Sequence, residues 1–435
     1  MNDLSRSSQS QPHMPLSNAS QACCRSCSAP LQETFIDLGM IPLVQSFLKA
    51  DALDEPEKHY PLHVRVCSTC RLVQLRNYVA ADEIFSEEYP YFSSYSSSWV
   101  AHAKAYCETV AQRFELGPQS QVVEIASNDG YLLQHFLPLG IPVLGVEPAA
   151  NVAAAALAKG IPVVVDFFGE RLANELASSG KSADLIAGNN VFAHVPDAND
   201  FAAGMKRLLK PEGVVTLEFP HLQRLIAERQ FDTIYHEHYS YFSLLSARHL
   251  LQRHGLEVFD VEELTTHGGS LRVYAGHEAR KLNPVKPSVA ELLEREQRFG
   301  LDDSAIYEDF RVAVQATKRD LLALLIDLKR AGKRIVGYGA PGKGNTLLNY
   351  CGIGTDFLDF TVDRNPHKHG MFTPGTRIPV LPVEAIDEVK PDYVLILPWN
   401  LKTEIIQQMR HISGWGGKFI VPIPEAMIVD PGEMA

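Results

Sequence analysis

Apolar positions in the middle of the chain alternate between strand-like runs and segments with helical spacing. A helix is predicted from Trp99 to Phe114, with Gly117 and Pro118 ending it. From Gln121 onward, the predicted strands cover 122–126, 143–147, 162–165, 184–188, 213–219 and 271–275. Strands that alternate with helices in this way predict a doubly wound α/β sheet.

The flanking regions follow other patterns. Short strand-like stretches precede the sheet, residues 288–332 have the spacing of one or two amphipathic helices, and a second strand–turn–helix unit opens at Arg334. Its last strands begin at Tyr393 and Lys418. The predicted organisation is a disordered tail (1–21), a zinc-binding domain (22–88), a sheet domain (89–285), a helical bridge (286–332) and a second Rossmann-like α/β domain (333–435).

Composition narrows the class of protein. The 435 residues are 46% hydrophobic and 21% charged, as in globular proteins. The formal net charge of −12 disfavours nucleic acid as a partner. No apolar run approaches the length of a membrane span, and the Ser-, Gln- and Pro-rich N-terminus has no signal-peptide core. With only seven cysteines, we expect the reducing cytoplasm.

Four of the cysteines form two C-x-x-C knuckles, Cys24/Cys27 and Cys67/Cys70. Two such pairs provide the four thiolates of a tetrahedral zinc site, although the gap of about forty residues implies an insert between them. Because no histidine or carboxylate completes the set, the zinc is predicted to be structural. Cys23 is an ambiguous neighbour.

Residues 122–148 carry the first sign of a ligand. The strand from Val122 enters a turn with Asn128, Asp129 and Gly130, and the next strand ends in Glu147. Glycine permits close approach of the backbone to a ligand, and a carboxylate at a strand end can accept both hydroxyls of a ribose. Since G-x-G-x-x-G is absent here, the pattern favours S-adenosylmethionine over a dinucleotide.

Other strand ends also carry polar groups. Asp166 follows the third strand, where an adenine amino group could be recognised, and Asn189, Asn190 and His194 follow the fourth. His194 lies at the same predicted cleft edge as Glu124 and Glu147, although a lone histidine at a helix start is often only structural.

The stretch from Phe231 to Ser243 is unusually rich in side chains that can transfer protons, with Tyr235, His236, Glu237 and His238 in succession. In an extended segment His236 and His238 would share a face, so a second metal site is one alternative. We favour an acid/base cluster, because a histidine oriented by a neighbouring carboxylate suits proton abstraction. An aromatic connector that includes Tyr89 either packs in the core or forms a lid that brings tyrosine side chains to a cleft.

A second glycine-rich loop spans 337–346. It formally contains G-x-G-x-x-G, and it nearly matches a Walker A loop except that Gly344 replaces the hydroxyl residue. Both interpretations are weak on their own. Glycine amides at a helix N-terminus beside Lys343 nevertheless predict an anion site suited to a diphosphate.

In order and spacing, these motifs resemble the three-domain S-adenosylmethionine-dependent C-methyltransferases that act on nucleotide-linked keto-sugars. The resemblance rests on the paired knuckles and on segments 123–130, 235–238 and 337–346. It implies a class I methyltransferase sheet between a zinc-binding domain and a C-terminal Rossmann-like domain. The implied cofactors are S-adenosylmethionine and structural Zn²⁺. The implied partner is a dTDP-linked or similar keto-sugar, with no nucleic acid or membrane, on a monomer or weak homo-oligomer.

The resemblance also implies roles for residues. His238 would be the base that removes the proton next to the 4-keto group, giving an enolate that attacks the sulfonium methyl. The rest of the catalytic site would be Tyr235, Glu237, His194 and Tyr89. The implied cofactor-binding residues are Glu124, Ala126, Asn128, Gly130, Tyr131, Leu132, Glu147, Pro148, Asp166, Phe167, Asn189 and Asn190. The diphosphate would lie against Gly339, Lys343, Gly344 and Asn345. Pro341 and Gly342 depart from the family pattern.

Three alternatives stay open at this point. One is a nicotinamide-dependent dehydrogenase that works from the second glycine-rich loop. Another is a non-catalytic zinc-containing assembly module. The third is an O- or N-methyltransferase that acts on a related sugar.

Overall fold

The structure is a computed structural model, and it describes residues 22–79, 92–279 and 283–432. The predicted tail over 1–21 and the predicted site residue Tyr89 lie outside the described residues. Within the described ranges the strands form three sheets. None of the helices in these ranges combines the length and the apolar character of a membrane span.

The N-terminal sheet combines two distant parts of the chain. It consists of β1 (Glu33–Ile41), β2 (Tyr60–Val66), β3 (Val73–Leu75) and β9 (Ser240–Tyr241), all antiparallel. In the β3–β9 pair, Val73 lies opposite Tyr241 and Gln74 lies opposite Ser240. The segment directly after His238 is therefore a strand of the cysteine-containing region.

The central sheet has the strand order β10-β11-β8-β7-β4-β5-β6. Its strands are β4 (Val122–Ile125), β5 (Val143–Val146), β6 (Val163–Val164), β7 (Ala183–Asn189), β8 (Leu209–Pro220), β10 (Leu256–Leu264) and β11 (Ser270–His277). All neighbours are parallel except β11, which is antiparallel to β8 and β10. This is the α/β sheet that the hydrophobic pattern predicts.

The prediction missed β10, because four acidic residues interrupt its apolar pattern. In the structure, cations pair with three of these charges. Asp260 accepts from Arg113 at 2.5 Å and lies 2.9 Å from Lys286, and Glu262 lies 3.2 Å from Arg272. Pairing of this kind lets a charged strand lie in a sheet.

Helices cover both faces of the central sheet. They are α1 (Ser97–Arg113), α2 (Ala150–Ala158), α3 (Glu170–Ser178), α4 (Ala198–Leu208), α5 (Leu222–Ala227) and α6 (Leu244–Arg253). After Gly130 the expected helix is replaced by two short 3₁₀ turns, Leu133–His135 and Leu137–Leu139. Pro138, which lacks an amide hydrogen, lies at the start of the second turn and interrupts helical bonding.

The C-terminal sheet has the order β14-β13-β12-β15-β16-β17. Its strands are β12 (Ile335–Tyr338), β13 (Thr361–Val362), β14 (Val380–Leu381), β15 (Tyr393–Ile396), β16 (Lys418–Val421) and β17 (Met427–Val429), parallel except for the β16–β17 pair. Its helices are α9 (Gly342–Cys351), α10 (Ala385–Val389) and α11 (Lys402–Gln408).

The predicted bridge forms α7 (Pro287–Phe299) and α8 (Ala305–Arg330). Helix α8 packs between the two outer sheets: Phe310 stacks on Phe35 of β1 with ring centroids 4.8 Å apart, and Leu325 belongs to the same core as Val336 of β12. The N- and C-terminal regions therefore share one hydrophobic core.

Candidate active site

The four knuckle cysteines meet at one point. Their Sγ atoms all lie within 4.8 Å of one another, and the Cys24–Cys70 and Cys27–Cys67 separations are 3.5 Å. A tetrahedral Zn²⁺ with Zn–S bonds of about 2.3 Å requires sulfurs roughly 3.8 Å apart. The geometry and the all-thiol donor set fit a structural zinc ion.

The two knuckles have the same backbone form. In each, a residue with positive φ follows the second cysteine, Ser28 (φ 63°) and Arg71 (φ 59°), and its amide donates to the carbonyl of the first cysteine at 2.9 Å and 3.0 Å. The insert between the knuckles is largely the β1–β2 hairpin.

A cavity of about 440 Å³ lies at the carboxyl ends of the central strands. Of the predicted cofactor-binding residues, those lining it are Ala126, Asn128, Tyr131, Glu147, Pro148, Asp166, Phe167, Asn189 and Asn190. Ala126, Asn128 and Asn190 have positive φ, an unusual conformation for residues with a side chain, so the turns at these strand ends are tightly constrained.

Glu147 is the best-anchored polar group of this half of the cavity. One carboxylate oxygen accepts from the Asn128 amide at 3.0 Å and the other accepts from the Ala149 amide at 2.9 Å. Burial raises its pKa, and these two amides oppose the shift. Each oxygen retains a second lone pair, so the carboxylate can still accept ribose hydroxyls.

Asn189 supports the fit of a polar cofactor. Its side chain is 7% exposed and lines the cavity, and within the described part of the chain neither Oδ1 nor Nδ2 has a hydrogen-bond partner. A buried amide without partners is costly unless a ligand satisfies it. Asp166 also lines the cavity and is held by Arg171 at 2.6 Å.

Three predicted cofactor-binding residues do not line the cavity, and the sequence interpretation of them needs correction. Leu132 is a core residue. A Cβ at Gly130 (φ +77°) would lie 2.3 Å from Ile161 Cδ1, so this glycine serves chain packing, not ligand approach. Glu124 is fully buried behind the site, and burial, followed by the charges of Glu147 and Asp129, raises its pKa well above the usual value.

The predicted catalytic residues converge at the other half of the cavity. His194, Tyr235, Glu237 and His238 all line it. The rings of His194 and His238 meet edge to face with centroids 4.6 Å apart, and the Tyr235 ring lies 4.0 Å from that of His238. His194 Nδ1 shares a 2.9 Å hydrogen bond with the Glu237 carbonyl, which joins the two segments.

The tautomer of His238 is set by its neighbour. Nδ1 lies 2.8 Å from the Thr233 carbonyl, which can only accept, so Nδ1 carries the hydrogen and the neutral ring has its lone pair on Nε2. Burial, followed by the nearby His194, lowers the pKa of His238 well below its ordinary value of 6.5. The ring is therefore neutral near pH 7 and able to accept a proton.

His236 lies on the opposite side of this segment. Its Nε2 is 3.3 Å from the Pro61 carbonyl and its ring packs against Tyr60, so it does not line the cavity. Among the described residues, the knuckle cysteines are the only cluster that could hold a metal ion. The alternative of a second metal site at His236 and His238 is therefore wrong for this part of the chain.

The C-terminal region contributes one predicted residue to the cavity. Lys343 lines it, donates to Asn400 at 2.9 Å and lies over the Trp399 ring at 5.3 Å. Burial lowers its pKa, and the charge of Asp232 partly offsets this.

The other three residues of the predicted anion site do not line the cavity. A Cβ at Gly339 would lie 2.6 Å from Pro398, and one at Gly344 would lie 3.0 Å from Leu397. Asn345 is fully buried and donates to the Val44 carbonyl at 2.7 Å. The two glycines pack within the C-terminal region and Asn345 joins it to the N-terminal region, whereas the cavity meets Pro341, Gly342 and Lys343.

Sequence reasoning missed several lining residues, among them Gln45, Trp99, His267 and Lys368. His267 has a positive φ of 56° beside two glycines, and an H-G-G sequence in a turn is a signal that could have been noticed. Gln45 and Lys368 are far in sequence from the other residues of the site, and no local pattern indicates that they line the same cavity.

This fold and site define a class I S-adenosylmethionine-dependent methyltransferase with a structural zinc site. Family models match residues 24–85 as a zinc binding domain, 99–261 as a methyltransferase domain and 265–424 as a C-methyltransferase C-terminal domain. The C-methyltransferase NovU of Streptomyces niveus is 36% identical over 406 residues, which is 93% of this chain and 96% of NovU. The chain therefore belongs to the three-domain, zinc-binding C-methyltransferase family.

More distant similarities are confined to part of the chain. A ubiquinone biosynthesis O-methyltransferase of Bartonella quintana is 32% identical over 97 residues, 22% of this chain and 39% of that protein. The crystal structure of the glycopeptide N-methyltransferase MtfA with S-adenosylmethionine is 17% identical, covers 40% of this chain and 94% of its own, and has a TM-score of 0.32.

Proposed function

We propose that this C-methyltransferase acts on the carbon next to the ketone of a nucleotide-diphosphate-linked 4-keto-deoxysugar, after deprotonation to an enolate. The observation that carries the proposal is the cavity-facing His238, whose Nδ1–H is fixed by Thr233 and whose Nε2 is free to accept a proton. A carbon acceptor has no lone pair of its own, so a positioned base is needed before any nucleophile exists.

The residues around His238 have distinct tasks in this reaction. His238 Nε2 takes the α-proton of the sugar, and the electron pair is delocalised onto the ketone oxygen. Tyr235, in contact with His238, can donate to that oxygen as its charge develops. His194 donates its Nδ1 hydrogen to the Glu237 carbonyl and so holds this segment in place. Burial raises the pKa of Glu237 to about 7, so this carboxyl can donate or accept a hydrogen bond while it positions the sugar. Tyr89 stays a candidate from the sequence.

In the cofactor half of the cavity, Glu147 and Asn189 would hold S-adenosylmethionine, and Asp166 and Phe167 would contribute to recognition of its adenine. When bound, S-adenosylmethionine supplies an electrophilic methyl group on a sulfonium. Both halves belong to one continuous cavity, so the acceptor carbon and the cofactor can be held together away from bulk water.

The nucleotide is proposed to bind toward the C-terminal region. Lys343 is a cavity-lining cation at the N-terminus of α9, and the amide of Gly342 lies beside it. A helix N-terminus with an adjacent lysine suits a diphosphate. The similarity to NovU supports C-methylation itself, whereas the nucleotide-linked keto-sugar rests on this site and on the sequence resemblance.

The dehydrogenase alternative is disfavoured by the glycine-rich loop. Gly339 and Gly344 are occupied by packing against Pro398 and Leu397, and neither lines the cavity. In a thermal-shift comparison, S-adenosylmethionine should therefore raise the Tm and NAD should not.

The decisive experiment is incubation with S-adenosylmethionine and a panel of dTDP-linked 4-keto-sugars, each with its non-keto counterpart as the matched control. We expect a mass gain of one methyl group on the keto compounds alone. Exchange of the sugar α-proton in D₂O tests the enolate separately. Methylation of the non-keto counterparts would instead indicate an oxygen or nitrogen acceptor.

A further inference from the structure

The first zinc knuckle reaches the wall of the active-site cavity through Arg25, which stands between Cys24 and Cys27. Its Nη1 donates to the Pro196 carbonyl at 2.6 Å and to the Val195 carbonyl at 3.4 Å. Val195 and Pro196 line the cavity directly after His194. A side chain of the metal-binding loop thus holds the segment that carries the imidazole of His194.

The same guanidinium also contacts the segment that carries the imidazole of His238. It lies 5.4 Å from the centre of the Tyr239 ring, and Tyr239 follows His238 in sequence. The Tyr239 amide donates to the Ala193 carbonyl at 2.7 Å, and Nη2 of Arg25 donates to Asn77 at 2.9 Å and to the Leu75 carbonyl. The planar guanidinium group has several N–H donors in fixed directions, so it can donate to these carbonyls at the same time. A lysine ammonium group cannot.

Arg25 itself is fixed by the knuckle. Its amide donates to Gln74 Oε1 at 2.8 Å, and Gln74 Nε2 donates to the Cys24 sulfur at 3.1 Å. Asn199 donates to the Arg25 carbonyl at 2.6 Å. A polar group that bonds to a metal ligand, as Gln74 does, helps to orient that ligand.

We propose that Arg25 is a positioning residue that couples the zinc knuckle to the His194–His238 pair. The inference rests on the proposed function, in which His238 acts on the acceptor and His194 packs against its ring. Without the guanidinium, the Val195–Pro196 segment loses one of its anchors, and the 4.6 Å contact between the two rings is held less firmly. Binding of S-adenosylmethionine is unaffected, because Glu147 is anchored by Asn128 and Ala149 on other elements.

The test compares Arg25→Gln with Arg65→Gln. Arg65 is a matched control because it also donates to a backbone carbonyl, Leu31 at 3.0 Å, but within the N-terminal region. Arg25→Gln should keep its zinc and its affinity for S-adenosylmethionine while kcat falls by about 10- to 100-fold, the scale of a small misplacement of catalytic groups. Arg25→Lys should recover only part of kcat, and Arg65→Gln should keep it.

Ring resonances of isotope-labelled histidines provide a readout that needs no substrate. In Arg25→Gln the His194 and His238 signals should shift, and in Arg65→Gln they should not. If the keto-sugar assay fails for every variant, the proposed function fails, but these shifts would still establish the coupling. Unshifted signals, an unchanged kcat on an active substrate, or loss of zinc in step with activity would each overturn it.

Discussion

At the scale of single residues, the site depends on a few groups whose chemistry is set by close neighbours. Glu147 is the clearest case for the cofactor, because its carboxylate accepts from two backbone amides and also lines the cavity. We expect Glu147→Ala to weaken S-adenosylmethionine binding by roughly 2 kcal/mol, the order of a charge-assisted hydrogen bond. Calorimetry measures this directly, and an unchanged affinity would remove Glu147 from the site.

His238 is the corresponding residue for the acceptor. His238→Ala should lower kcat by roughly 10² to 10⁴, the usual effect of losing a positioned base, and leave S-adenosylmethionine affinity unchanged. It should also abolish exchange of the sugar α-proton with D₂O. His236→Gln is the control, because His236 faces the Pro61 carbonyl and should affect turnover little. Near-normal turnover of His238→Ala would contradict the base assignment.

The low pKa of His238 gives a prediction for pH dependence. Since burial favours the neutral ring, the form that accepts a proton persists as the pH falls through 6.5, the ordinary histidine value. The acid limb of kcat/KM should therefore lie below pH 6.5. Glu237, with a pKa raised to about 7, could add its own transition, so the profile should be repeated with Glu237→Gln. An acid limb at or above pH 6.5 in that variant would show that His238 is not the titrating base.

At the scale of elements, the zinc knuckles and the catalytic loop form one structure. Strand β9, which follows His238, pairs with β3 next to the second knuckle. On the other side, Thr346 of α9 donates to the Ile234 carbonyl at 3.0 Å, and Trp399 donates to Asp232 at 2.6 Å. Elements of the N-terminal and C-terminal regions therefore hold the loop from Asp232 to Tyr239.

This arrangement predicts what loss of the metal does. Elemental analysis should find about one zinc per chain. Cys67→Ser should lose it and lower the yield of folded protein, because a thiolate of a closed four-sulfur site contributes directly to folding. The matched control is Cys351→Ser, at a buried cysteine outside the knuckles, which should keep its zinc. A stable, active, zinc-free protein would contradict a structural role for the metal.

At the scale of the whole molecule, most of the central sheet and the four zinc ligands were predictable because each depends on a local pattern. Short runs of apolar residues predict β4, β5 and β7, and C-x-x-C spacing predicts the knuckles. The roles of the glycines were harder to predict. The sequence shows where a glycine lies, but it does not show whether a ligand or a neighbouring side chain fills the space beside it. Ile161 opposes Gly130, and Pro398 opposes Gly339. Gln45 and Lys368 reach the same cavity only after the regions of the chain have folded together, and no spacing in the sequence predicts this.

The second glycine-rich loop contains buried residues that stabilise the fold and residues that line the cavity, and substitutions should distinguish the two. Asn345 is fully buried and holds Val44, two residues beyond the cavity-facing Lys343. Asn345→Ala should lower the free energy of unfolding by roughly 1–3 kcal/mol, since it leaves the Val44 carbonyl without its donor. Lys343→Gln, in contrast, should raise KM for the nucleotide-sugar with little change in Tm, because it removes a cation from the cavity while an amide can still contact Asn400. If Asn345→Ala instead raised KM in a fully stable protein, the nucleotide would bind deeper in the C-terminal region than the cavity indicates.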